Sequence, residues 1–312
     1  MTGVDTAVRV GPITLPNAIV AASGTYGHGD EVARLGRPER IGAVTVKSLS
    51  VRPWPGNPAP RVHETAAGML NSVGLQNPGV EAWRQHELPA LRARGARVIA
   101  SIWGRTAQEY GEAAAAVAMA AGDLVALEVN VSCPNLEDRS NMFAHSCEGT
   151  AAAVGAAVER AGDLPVFAKL SPNVTDLVPI ARAALDAGAA GLTLVNTLMG
   201  LAVEPVTGRP RLGAGGGGLS GPAIRPVAVR AVYEVTTALP GTPVIGTGGV
   251  ACAEDAVEML RAGASAVGVG TATFHDPRAP EKIARGLARW CVKQRIGSVA
   301  ELTGAVVGGG DD

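Results

Sequence analysis

The residues able to do chemistry in this chain fall where short apolar runs end. Lys47 and Lys169 each close one such run, Val195-Asn196-Thr197 closes another, and Asn130-Val131-Ser132-Cys133-Pro134-Asn135 follows a fourth. A loop cysteine among polar groups can titrate and act as base or nucleophile, whereas a buried one packs as a small hydrophobe. The amides of Asn130, Asn135 and Asn196, with Asn71 in a long loop, pair donors with acceptors. That suits a planar heterocycle with alternating C=O and N–H groups, although capping of turns and strand ends is the ordinary use of asparagine. A lysine on a buried strand is tolerated where it meets an anion or is used chemically. Lys169 therefore serves either a ligand that becomes anionic or a salt bridge to Glu128, and Lys47 can reach the same ligand.

The elements that must position these groups are legible as an alternation. Apolar, mostly β-branched runs lie at 19–22, 43–46, 98–102, 125–131, 166–170, 192–195, 244–245 and 266–269. Segments of helical period lie between or after them at 81–94, 107–121, 151–161, 176–187, 223–238, 253–262 and 280–292. Strand then helix, about eight times, predicts an α/β protein with a (β/α)8 TIM barrel, in which all strand C-termini share one mouth. Residues 8–10 and 13–15, around Gly11-Pro12, read as a small N-terminal hairpin plugging the barrel bottom. Segments 48–79, 134–149 and 198–221 read as long functional loops. Gly248-Gly249 and Gly270-Thr271 follow the last two strands, where barrels hold phosphate. Residues 213–218 satisfy G-x-G-x-x-G but follow no strand, so they read as a flexible loop. Cys252 reads as a packing residue and His28 as a loop residue near the mouth.

The 312 residues read as one domain, 1–312, with a frayed tail at about 305–312. Hydrophobic residues make up 47%, charged residues 18% and aromatics 3%, as suits a parallel sheet covered by Ala-rich helices. A net charge of −1 offers no field for nucleic acid or an anionic membrane, and a small-molecule substrate is favoured. No targeting segment or membrane span is read, so the expected location is cytoplasmic. The four cysteines form no C-x-x-C pair and no metal or iron–sulfur site.

Several blocks together resemble class 1 dihydroorotate dehydrogenase. They are Ala22-Ser23-Gly24, Gly56-Asn57-Pro58, 68–79 (GMLNSVGLQNPG), 130–135 (NVSCPN), 169–176 (KLSPNVTD), Asn196-Thr197, 218–224 (GLSGPAI) and 262–267 (AGASAV). Coverage runs from about 8 to 290, and the blocks 68–79 and 169–176 look most like the NAD-linked subclass. The resemblance implies FMN across the barrel mouth, contacted by Ser23, Lys47, Ser48, Asn130, Lys169, Val195, Gly221, Gly248, Gly249, Gly270 and Thr271. It implies dihydroorotate stacked on the flavin, held by Lys47, Asn71, Ser72, Val73, Gly74, Leu75, Asn130, Asn135, Asn196 and Thr197. Cys133 would take the C5 proton while hydride leaves C6 for the flavin, with Lys169 facing the reduced ring. The membrane-bound class 2 uses a serine there, so Cys133 itself points to class 1. It further implies a second subunit carrying FAD and a [2Fe–2S] cluster, and a homodimer or heterotetramer. Two departures stand out: Ser101 takes the place of a flavin-contacting asparagine, and 136–142 (LEDRSNM) differs from the usual glycine-containing loop. The alternatives are a dihydropyrimidine dehydrogenase-like FMN barrel acting on dihydrouracil or dihydrothymine, and a non-catalytic phosphate-binding barrel.

Overall fold

The computed structural model describes residues 3–132 and 142–306. Cys133, Asn135, the first half of the 134–149 loop and the glycine-rich tail from 307 lie outside the described residues. Strands β1 (Val8–Val10) and β2 (Ile13–Leu15) form the expected hairpin. A side chain at Gly11 would collide with the Ala190 carbonyl, 2.9 Å away, and with Pro243. Both residues immediately precede barrel strands, so the hairpin covers the N-terminal end of the barrel.

The barrel begins with β3 (Ile19–Ala21) and β4 (Ala43–Thr45), and the chain then leaves it for β5 (Val62–Thr65) and β6 (Gly68–Asn71). It returns through α1 (Val80–Ala82), a π-helical turn at Trp83–Glu87 and α2 (Leu88–Ala93). Regular alternation follows: β7 (Val98–Ile102), α3 (Ala107–Ala118), β8 (Ala126–Asn130), α4 (Cys147–Arg160), β9 (Val166–Leu170), α5 (Val178–Asp186) and β10 (Gly191–Leu194). After a second excursion through β11 (Leu198–Gly200) and β12 (Gly217–Ser220) come α6 (Arg225–Ala238), β13 (Val244–Thr247), α7 (Ala253–Arg261), β14 (Ala266–Val269), α8 (Ala272–His275) and α9 (Ala279–Gln294).

Eight strands close in the order β10-β13-β14-β3-β4-β7-β8-β9, every neighbouring pair parallel. The fold is a (β/α)8 barrel with a small N-terminal hairpin. Every residue of β7, β8 and β9 is buried, which is why these strands read as mostly apolar runs with no polar alternation. Two helices start where hydroxyls cap them: Thr106 accepts from the Glu109 N–H at α3, and Ser146 from the Gly149 N–H at α4. Glycine lets α3 and α4 pack closely, since a Cβ at Gly111 would lie 3.1 Å from the Ala156 carbonyl.

Three expectations are corrected. Segments 48–79 and 198–221 are not structureless, because β5, β6, β11 and β12 form a separate antiparallel sheet in the order β11-β12-β6-β5. The glycine run at 213–218 is not a free loop either, since Gly217 and Gly218 pair with Gly200 and Met199 on one side, and Gly218 with Asn71 on the other. Backbone pairing stabilises these strands, so their side chains carry little periodic signal. The single helix expected over 81–94 is interrupted by the π turn. Among the described residues no helix is long and apolar enough to cross a membrane.

Candidate active site

Barrel geometry brings the C-terminal ends of β4, β8, β9 and β10 to one rim, and the polar residues there form a continuous hydrogen-bonded chain. Asn196 Nδ2 donates to Asn130 Oδ1 at 3.1 Å, and Asn130 Nδ2 donates to Ser48 Oγ at 3.2 Å. The hydroxyls of Ser48 and Ser101 are 2.9 Å apart, and Ser101 donates to Glu128 Oε1 at 3.2 Å. Thr193 donates to Glu128 Oε2 at 3.0 Å, and Lys169 Nζ stands 3.9 Å from Glu128 Oε1. The Asn130 backbone is itself fixed by the Tyr110 hydroxyl, which donates to its carbonyl at 2.7 Å. Networks of this kind hold side chains in one orientation, the condition for a site that must present amides to a planar ligand.

A cavity of about 620 Å³ opens above this chain, within the usual range for small-molecule sites. Its wall includes Ser23, Lys47, Ser48, Asn130, Lys169, Val195, Gly221, Gly248, Gly249, Gly270 and Thr271, together with Asn71, Ser72, Val73, Gly74, Leu75, Asn196 and Thr197. Of the described residues expected to touch cofactor or substrate, Ser101 alone is missing from this wall. It is fully buried beneath Ser48, because a serine is too short to reach past its neighbour where an asparagine would. The antiparallel sheet forms the opposite wall, and its register sets Asn71 against Gly218 with Asn71 Nδ2 donating to the Gly218 carbonyl at 3.3 Å.

At the other end the glycines make a cradle. Gly249 has φ +73° and a Cβ there would lie 2.6 Å from Arg225 Cβ. Gly221 has φ +98° and a Cβ there would lie 2.6 Å from Gly68 Cα. Only glycine fits either position, and the backbone can approach an anion closely. Thr271 Oγ1 donates to Ser220 Oγ at 2.8 Å, tying the barrel to the antiparallel sheet. The residues present fit a flavin nucleotide on two observations: this cradle, and the buried Ser72 and Thr247 hydroxyls on the cavity wall, which have no hydrogen-bond partner among the described residues.

Lys169 and Glu128 pair inside the barrel while Lys169 also borders the cavity, so the two readings of this lysine hold together rather than compete. His28 lies beside Lys47; burial first, and the lysine charge second, push its pKa down to about 4, leaving it neutral at pH 7. Cys252 is not a packing residue: it is exposed at the N-cap of α7, where partial desolvation by its surroundings is the main cause raising its pKa. It edges a larger groove of about 910 Å³ between β5, α8 and α9, which lacks Lys47, Lys169 and the asparagines of the first cavity.

Several contributors were not singled out from the sequence. Asn77, 4% exposed, binds Ser50, Leu75 and Gly79 and so pins the loop that carries Gly74 and Leu75. Asn173 donates to the Thr197 carbonyl and accepts from the Met199 N–H, which sets the Asn196-Thr197 loop. Trp54 and Trp103 meet edge to face at the cavity mouth, with the Arg105 guanidinium 5.2 Å over the Trp54 ring. The Asn-Pro pair at 77–78 and the Ser-Pro-Asn at 171–173 were visible signals of fixed loops; nothing in the sequence marks the tryptophan pair.

A family model described as dihydroorotate dehydrogenase matches residues 6–290. The chain is 45% identical over 299 residues to the catalytic subunit of dihydroorotate dehydrogenase B (NAD(+)) from Desulforamulus reducens, covering 96% of this chain and 97% of that protein. The protein of the same name from Geotalea uraniireducens is 46% identical over 303 residues, 97% and 98% of the two chains. That from Alkaliphilus metalliredigens is 43% identical over 310 residues, 98% and 100%.

Proposed function

The chain belongs to the dihydroorotate dehydrogenase family, and from that premise we propose that it oxidises (S)-dihydroorotate to orotate in pyrimidine biosynthesis, with FMN as its resident cofactor. The observation that carries this reading is the convergence of Lys47, Asn71, Asn130, Lys169 and Asn196 on one cavity whose far end is a glycine cradle. FMN would be held by Ser23, Ser48, Asn130, Lys169, Val195, Gly221, Gly248, Gly249, Gly270 and Thr271, and would supply a hydride acceptor there.

This chain's own residues do the rest. Lys47 supplies positive charge for the substrate carboxylate, and the amides of Asn71, Asn130 and Asn196 match the ring's C=O and N–H groups. Residues 72–75 and Thr197 line the cavity beside it. Cys133 is the proposed base at C5, with Asn135 beside it in sequence; both lie outside the described residues, and their roles rest on the NVSCPN block following β8. A base must come within roughly 3 Å of the proton it removes.

Anaerobic mixing of FMN-loaded protein with dihydroorotate or dihydrouracil tests the substrate: bleaching of the yellow colour by dihydroorotate is expected, and preferential bleaching by dihydrouracil would overturn it. Protein that stays colourless after FMN addition would support the scaffold alternative. Cys133→Ala should stay yellow while its bleaching slows by two or more orders of magnitude near pH 7; wild-type rates would remove Cys133 as base. The relatives carry NAD(+) and "catalytic subunit" in their names, which supports a partner chain; that it bears FAD and a [2Fe–2S] cluster is part of the proposal and follows from the family resemblance. Acceptor assays with NAD⁺, fumarate and a quinone, with and without co-expressed neighbouring genes, test that part.

A further inference from the structure

Glu128 is 3% exposed, in the third position of a strand whose other residues are apolar but for Asn130. A carboxylate so placed is costly unless each oxygen is satisfied. Here both are: Oε1 accepts from Ser101 on the β7 side and Oε2 accepts from Thr193 on β10, so the group is clamped between strands on either side of the β8–β9 pair. Lys169 Nζ stands 3.9 Å away, close enough for attraction but too far for a hydrogen bond. Among the described residues Lys169 makes no side-chain hydrogen bond, so its donors are kept for whatever occupies the cavity it borders. A carboxylate that existed only to neutralise the lysine would sit in direct contact with it. This one is held by two hydroxyls at a distance that orients the ammonium without capping it.

Resting on the flavin reading above, we propose that Glu128 is a positioning residue: it fixes the Lys169 ammonium beneath the bound flavin and cancels part of its charge, and so sets how readily the flavin accepts electrons. Ser101 belongs to the same device, because its hydroxyl joins Ser48 on the cavity wall to the carboxylate below.

The test is the ratio of reduced to oxidised bound FMN at equilibrium with a reference dye, read by absorbance in the full-length protein. Glu128→Gln keeps the shape, its amide oxygen accepting from one hydroxyl and its NH2 donating to the other, but removes the negative charge, so the ratio should move at least tenfold toward reduced flavin. Glu128→Asp keeps the charge and should stay within threefold of wild type. A Glu128→Gln ratio within twofold of wild type would overturn the proposal, since a merely structural role leaves this equilibrium unmoved. If the Gln variant does not fold, Glu128→Asp decides, and a tenfold shift with the charge retained overturns the proposal. Wild-type protein that fails to retain FMN would instead overturn the flavin reading, and this inference with it.

Discussion

Alanine at two glycines of the cavity wall separates what the cradle does for the fold from what it does for a ligand. At Gly249 the backbone has φ +73°, and a Cβ would lie 2.6 Å from Arg225 Cβ and 2.8 Å from the Arg225 backbone nitrogen. The left-handed conformation costs an L-residue roughly 1–2 kcal/mol. Relief of a contact with immovable backbone adds about 1–3 kcal/mol, the usual range for overpacking. The sum, about 2–5 kcal/mol, corresponds to a fall in melting temperature of roughly 4–10 °C for a chain of this length. Gly270 differs: its φ is ordinary, and the nearest heavy atoms, on Ala22 and Thr25, are 3.7 Å from where a methyl group would sit. Gly270→Ala should therefore melt within about 1 °C of wild type in the absence of FMN, because nothing in the fold is displaced. The same methyl occupies cavity wall, and overpacking against a bound ligand of about 1–3 kcal/mol weakens FMN binding roughly 5–150-fold. Melting without cofactor and quenching of FMN fluorescence measure the two quantities separately. Wild-type melting of Gly249→Ala would refute the steric reasoning, and wild-type FMN affinity of Gly270→Ala would remove the phosphate end from this part of the barrel.

Two further outcomes concern parts of the site not visible as motifs. Burial, aided by Lys47, holds His28 at a pKa of about 4 against an ordinary 6.5, so between these values the unfolded chain binds the proton and the folded chain does not. Stability should fall as pH drops from 6.5 to 4, by about 3 kcal/mol in all, and comparison of urea midpoints at pH 7 and 5 should show a smaller drop for His28→Gln than for wild type. Asn77→Ala leaves the Ser50 and Gly79 N–H groups without their acceptor, at a cost of about 2–4 kcal/mol, and should raise KM for dihydroorotate more than it lowers kcat; unchanged KM would separate this loop from substrate.

The barrel strands were legible because burial on both faces forces apolar runs: 98–102 and 166–170 match β7 and β9 residue for residue. The antiparallel sheet was not, since β12 is Gly217-Gly218-Leu219-Ser220 and β6 begins with glycine and has one buried residue, so neither shows a period. Site residues at strand ends could be read from position alone, because parallel strands deliver their C-termini to one rim. What hydrogen-bonds to what could not: Ser101 reads as a ligand contact because it stands where an asparagine is usual, and its one-carbon side chain stops at Ser48 instead. The link from Asn71 to Gly218 spans 147 residues, far beyond any local pattern.

The seam between β3 and β14 joins Ile19 to Val267. A ribosome adding about 5–20 residues each second needs roughly 10–50 s to travel that interval, during which the first barrel strand lacks one of its two lateral neighbours. The nascent polypeptide therefore carries an unzipped, strongly apolar sheet for most of its synthesis, and premature termination anywhere before that seam leaves a sticky fragment rather than a smaller working enzyme. Substitutions that slow late assembly will show first as lost yield of intact protein, before any loss of turnover per molecule.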